Sequence, residues 1–351
     1  MGCPRPGQWA RGLVVPDRGS SPIVSPVNTA GLLSLPALED GLGRLEPELR
    51  AAVISGDGFL DEVTTHLIDA GGKRLRPCLA IAAATGGGAA AGADDLQGAI
   101  AVELVHLASL YHDDVMDEAT VRRNVESVNA RFGNLVAIVA GDFLLARSAE
   151  IAASLGTEVA GLLANTLGRL CQGQVSEMRS AFSTGRSEEE YFAAIAGKTA
   201  ALMATSCRIG ALTAGRPRTD VEALTTYGQR FGMLFQLRDD VLDCVASEEE
   251  LGKPAGQDLA EGIYTLPVLR ALQDPETGRE LRPLLGQPLD QPERDKARAI
   301  VAGSPAIEAT LAVGRRYAGE AEEAAEAVPG RELGAVLGAL AHSLLDDFPS
   351  G

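Results

Sequence analysis

Two stretches decide how this chain is read: AVELVHLASLYHDDVMD at residues 101–117 and RFGMLFQLRDDVLD at residues 230–243. Each is an apolar run that ends in the same D-D-x-x-D pattern. Val102, Leu104, Val105, Leu107 and Leu110 recur at helical spacing in the first, as do Phe231, Met233, Leu234, Phe235 and Leu237 in the second. The period predicts two buried helices with acid at one end. Residues four apart share a helix face, so Asp113 stands beside Asp117 and Asp239 beside Asp243. Asp114 and Asp240 point about a quarter-turn away.

Like charges at this spacing repel and are costly away from water. One such cluster reads equally well as a solvated helix end. Two copies on apolar helices point instead to a divalent cation that neutralises them, and hard oxygen ligands with room left for phosphate suit Mg2+.

The helical rhythm runs on through the chain, with candidate helices at 96–117, 135–153, 158–180, 188–215, 220–243 and 306–327. Ala and Leu dominate and aromatics make up only 4%, a mix that packs helices better than a sheet core, so the expected class is all-α. Residues 1–30 are rich in Pro, Gly, Ser and Arg without periodicity, and predict a disordered tail ahead of one domain at 31–351. The net charge of -17 excludes nucleic acid as a general partner. The apolar stretch at 79–93 is broken by Gly86, Gly87, Gly88 and Gly92, and no segment is long enough to span a membrane, so a soluble chain is expected. Cys3, Cys78, Cys171, Cys207 and Cys244 form no C-x-x-C pair, which predicts buried, reduced thiols in the cytoplasm.

The acid has a basic counterpart. Gly71-Gly72-Lys73-Arg74-Leu75-Arg76-Pro77 places three cations after a flexible glycine pair, a source of donors for phosphate. Arg122 and Arg123 follow the first acidic cluster closely enough to reach the phosphates that metals there would hold. Lys198, Thr199 and Gln236 add donors on other helices, and Lys253 lies in the charged loop after the second cluster. His106 precedes Asp113 by two helical turns on one face, which points it along the same cavity. Carboxylates alone would repel a diphosphate, so this mixture of acid and base suggests a metal-bridged diphosphate site.

GGKRLRP, HDDVMDEATVRR, GDFLLAR, GKT, FQLRDDVLD and LGKPAGQDLAEGIYTLP occur in this order, and the set resembles the polyprenyl synthetase family of trans-isoprenyl diphosphate synthases. The resemblance runs from about residue 32 to the C-terminus. It implies a helical bundle of the isoprenoid-synthase type around a deep central cavity, in a homodimer, with the acidic motifs facing each other across the mouth. It also implies that Asp113 and Asp117 bind two Mg2+ ions and Asp239 a third, with Asp114, Asp240 and Asp243 in support. Lys198, Thr199, Gln236, Lys253 and Arg122 match the contacts to an allylic diphosphate. Lys73, Arg76, His106 and Arg123 match those to isopentenyl diphosphate. Asn124 and Glu126 stand where the family commonly has Gly and Pro, and Ile263 where many members have Lys; altered affinity is expected, with Glu126 weakening the positive field around Arg123.

In the implied reaction the allylic C–O bond ionises, the isopentenyl double bond attacks the cation, and a proton leaves to pyrophosphate. A terpene cyclase or a non-catalytic subunit of a heteromeric synthase are the competing readings; the second acidic motif and the isopentenyl cations speak against the former, and the intact motifs against the latter. Ala108 and Ser109, five and four residues before Asp113, lie roughly 6–7 Å below the metal-binding end at about 1.5 Å per residue. An aromatic there would form a floor. Its absence implies a geranylgeranyl or longer product, unless Val105, Leu144 or Leu145 closes the cavity; a peripheral membrane contact for release of such a product is a separate expectation.

Overall fold

The computed structural model describes residues 35–86, 88–251, 255–346 and 348. The predicted tail and Lys253 fall outside them. Among the described residues the chain is helical apart from one two-stranded hairpin. Helix α1 (Pro36–Ala52), α2 (Gly58–Asp69) and α3 (Leu75–Thr85) lead into α4 (Ala93–Met116), which carries the first acidic motif. Strands β1 (Val121–Arg122) and β2 (Val125–Glu126) then turn the chain into α5 (Val128–Phe132), α6 (Asn134–Ser154) and α7 (Thr157–Ser180). Next come α8 (Glu188–Ile195), a π-helical turn (Ala196–Ala200), α9 (Ala201–Thr213) and α10 (Arg218–Val245), the helix of the second motif. Shorter helices follow: α11 (Glu248–Leu251), α12 (Gln257–Ala260), α13 (Leu266–Gln273), α14 (Pro275–Leu281) and α15 (Gln291–Ala302). Helices α16 (Ala306–Glu326) and α17 (Arg331–Ser343) complete the order.

The most extensive packing joins α4 to α6, α10 to α16, α9 to α10 and α3 to α9. Helix α3 shows why the centre is dense: every residue from Pro77 to Thr85 is buried, and four of the nine are Ala. Small side chains let neighbouring backbones approach while still excluding water. Tyr111, fully buried, ties α4 to α2 by donating its hydroxyl to the Val63 carbonyl at 2.8 Å.

Predicted helix ends agree with these bounds to within a few residues except at 188–215, which the structure splits by a π turn. The thiols of Cys78, Cys207 and Cys244 are buried as expected; Cys171 is exposed, because it lies on the outward face of α7.

Candidate active site

Both acidic motifs sit at the C-terminal ends of their helices. Helix α4 ends at Met116 and Asp117 is its C-cap, so the motif runs off the helix into the cavity. A helix C-terminus carries partial negative charge, which makes carboxylates there unfavourable unless a cation answers them. Asp113 is half-buried, and burial pushes its carboxyl up to about 6 against the pull of Lys198. Burial likewise raises Asp114 and Asp117.

The hairpin holds the first motif's partners. Arg123 and Asn124 both take positive φ, 53° and 62°, in the two-residue loop between the paired Arg122 and Val125. That is the geometry of a type I′ turn, in which Asn is well tolerated, so Asn124 supports the turn. Arg122 donates from Nε to Asp114 Oδ1 at 2.7 Å, while Asp114 Oδ2 is buried without a partner. Asn129 fastens the hairpin to the helix end by donating to the carbonyls of Asp114 and Ala119, each at 3.0 Å.

Lys198 and Thr199 come from the π turn, a wider coil often found at functional sites. The turn lies backbone to backbone against α7: a Cβ on Gly197 would fall 2.7 Å from the Arg169 carbonyl oxygen, and one on Gly173 2.6 Å from the Lys198 amide nitrogen. No larger residue fits either place. Lys198 Nζ donates to Glu177 at 2.6 Å; burial disfavours its charge, but Glu177, Asp113 and Asp117 outweigh that and raise it. Thr199 donates to Gln236 Oε1 at 2.7 Å, and Gln236 Nε2 donates to Asp240 at 2.8 Å. Tyr191 donates to the other Asp240 oxygen, and burial raises this carboxyl well above its usual range. Asp243 turns away to accept from the backbone N–H groups of Gln257 and Asp258 at 3.3 Å. Asp239 is 45% exposed and lies 3.4 Å from Arg238.

A second basic group surrounds Glu103, a carboxylate within the apolar run of α4 that is only 1% exposed. Arg74, held at φ 46°, donates to Glu103 at 2.9 Å and to Glu46 at 2.6 Å. Of the three cations after the glycine pair, Arg74 is therefore spent on structure. Arg123 lies 3.9 Å from Glu103 and donates to the Leu67 carbonyl at 2.8 Å and to the Gly71 carbonyl. Glu103, then, is the acid that faces Arg123, while Glu126 is exposed. Arg76 differs: its Nε is buried with no acceptor, and burial lowers its guanidinium to about 10. His106 stays neutral, since burial and then Arg76 and Arg123 pull its imidazole well below 6.5. Lys73 is exposed in the loop.

A cavity of about 1140 Å³ joins these elements, lined among others by Asp117, Arg122, Arg123, Lys198, Thr199, Gln236, Asp240 and Ile263. Asp113, Asp239, Lys73, Arg76 and His106 do not line it, although Asp239 lies near enough to Arg76 to act on its charge. Nor do the length-determining candidates: Ala108 is fully buried, and Ser109 donates its hydroxyl to the His106 carbonyl at 2.8 Å. Sequence reading passed over Glu103, Glu177, Tyr191 and Arg186; only Glu103 carried a signal, a lone acid in an apolar helix.

Among the described residues no three acid, His or Cys side chains are grouped as a complete metal site. The donors present still fit a hard divalent ion: carboxylates with raised pKa at the end of α4 and an orphaned Asp114 oxygen, beside a cavity that leaves coordination places to ligand oxygens.

Known proteins resemble this chain in sequence and in fold. Heptaprenyl diphosphate synthase component 2 of Geobacillus stearothermophilus is 40% identical over 309 residues, covering 87% of this chain and 95% of that one. Nonaprenyl diphosphate synthase of Mycobacterium tuberculosis is 36% identical over 327 residues, 91% of this chain and 97% of that one. The crystal structure of a polyprenyl synthase from Caulobacter crescentus, complexed with calcium and isoprenyl diphosphate, superposes with a TM-score of 0.84 at 32% identity, covering 91% of this chain and 97% of that one. A family model described as polyprenyl synthetase matches residues 57–302. The chain belongs to the polyprenyl synthetase family, whose members form the all-α isoprenoid-synthase fold.

Proposed function

We propose that this chain is a Mg2+-dependent trans-prenyltransferase that condenses isopentenyl diphosphate with an allylic diphosphate to give a geranylgeranyl or longer all-trans product. The observation that carries this reading is one cavity in which carboxylates from two helices, Asp117 and Asp240, meet the cations Arg122, Arg123 and Lys198. The relatives' names, hepta- and nonaprenyl diphosphate synthase, support a product beyond twenty carbons.

Asp113, Asp117 and Asp239 would hold the metal, which when bound neutralises charge on the departing diphosphate. Lys198, Thr199, Gln236, Arg122 and Lys253 orient the allylic diphosphate, and Lys73, Arg76, His106 and Arg123 the isopentenyl one. As the allylic C–O bond breaks, its electron pair leaves with pyrophosphate. The isopentenyl double bond closes the new C–C bond, and the proton lost goes to pyrophosphate. Ile195, buried in the lining, keeps water from the cation on its side. No protein nucleophile is needed.

A homodimer fits the outer faces of α6 and α7, where Leu135, Val139 and Val175 are 52–82% exposed. The name "component 2" favours a second reading, in which a different subunit covers this face. No helix among the described residues is long and apolar enough to cross a membrane, and the buried free thiols suit the cytoplasm. Incubating the purified chain with isopentenyl diphosphate and each common allylic primer, then sizing the products, tests both readings. Elongation by the chain alone supports the homodimer; elongation only after a second component is added supports the other, and none in either case rejects the function.

A further inference from the structure

Arg186, just before α8, holds a place in the cavity that no assigned role explains. It lines the wall near Ile263 and Thr265 yet is only 6% exposed. The capping box of Ser187 and Glu190 fixes the backbone beside it. The guanidinium lies over the Tyr191 ring, 5.6 Å from its centroid, and Nη1 donates to the Tyr264 carbonyl at 3.1 Å. Nε and Nη2 are buried and meet no acceptor. A guanidinium keeps its charge and offers five donors, so two unmet N–H groups inside a cavity wall are costly unless an anion completes them.

The cavity already gathers Lys198, Thr199 and Gln236. Ile263, next to the residue whose carbonyl anchors Arg186, brings no charge of its own. We propose that Arg186 is a diphosphate-binding residue that supplies the positive charge on this wall through Nε and Nη2. The inference rests on the reading of the cavity as a diphosphate site.

The test is calorimetric titration of the full chain with inorganic pyrophosphate in the presence of Mg2+, which needs no turnover. Arg186→Gln should weaken binding about tenfold or more, the usual effect of removing a charge-assisted hydrogen bond. Ile263→Glu, which sets a carboxylate beside the free N–H groups, should weaken it comparably. Adding Ile263→Lys to Arg186→Gln should recover part of the loss. Lys198→Ala serves as the control for the site itself. Unchanged affinity in Arg186→Gln and Ile263→Glu, with Lys198→Ala weakened, would overturn the inference alone, whatever happens to the melting temperature. Unchanged affinity in all three would overturn the diphosphate reading with it. Should Arg186→Gln fail to fold, Ile263→Glu decides.

Discussion

The two D-D-x-x-D motifs are alike in sequence and unlike in use. On α4 the last acid, Asp117, ends the helix and faces the cavity, and the middle one is held by Arg122. On α10 the helix continues to Val245, the middle acid is held by Tyr191 and Gln236, and the last, Asp243, braces the backbone at the start of α12. On the proposed metal-holding roles, α4 would offer two carboxylates, Asp113 and Asp117, and α10 one, Asp239, while Asp243 is turned to the backbone N–H groups of Gln257 and Asp258.

This asymmetry is breakable. Replacing Asp113 or Asp239 by Ala should cut turnover on the order of 10²- to 10³-fold or more while circular dichroism shows the helices intact. Asp243→Asn should instead cost about 1–3 kcal/mol of stability, read as a lower melting temperature, with turnover changed less than about tenfold. Equal kinetic losses at Asp239 and Asp243 would erase the distinction between ligand and brace.

The two basic groups sharpen the comparison. Lys198→Ala should raise the Michaelis constant for the allylic primer, and Arg76→Ala that for isopentenyl diphosphate, each about 10- to 100-fold. Crossed effects in steady-state kinetics would mean that the substrates bind the other way round.

His106 gives a pH dependence. Its folded pKa lies well below 6.5, so below that pH the unfolded chain takes up a proton that the native one refuses. Its contribution should hold stability level above about pH 6.5 and lower it as pH falls further. Denaturant titrations from pH 5 to 8 should show a flatter profile for His106→Gln, and an unchanged slope would place the ring in a different environment.

Much of this was legible in the sequence because helices announce themselves by period. Most predicted helices match the structure, and the acids lie where apolar runs end. The π turn at 196–200 was not legible, because Ala-Gly-Lys-Thr-Ala fits an unbroken helix; the break follows from the contact between Gly197 and Gly173. The fates of the cations were hidden for the same reason. Arg74 and Arg76 are two residues apart in one motif, but Arg74 meets Glu46 and Glu103, and only tertiary contact tells the spent arginine from the available one.

The smallest expected effect concerns product length. Ala108→Phe should shorten the main product by one or more isoprene units if the growing tail passes that point on α4, and unchanged products would move the floor to Val105, Leu144 or Leu145.

The central claim is that acids from α4 and α10 serve one diphosphate together. Its most direct test is a double-mutant cycle on Mg2+-dependent binding of an unreactive allylic thiolodiphosphate to Asp113→Asn, Asp239→Asn and the double variant. The account predicts that each single change removes most of the affinity and that the second adds little to the first. Additive losses, or a loss confined to one helix, would contradict it.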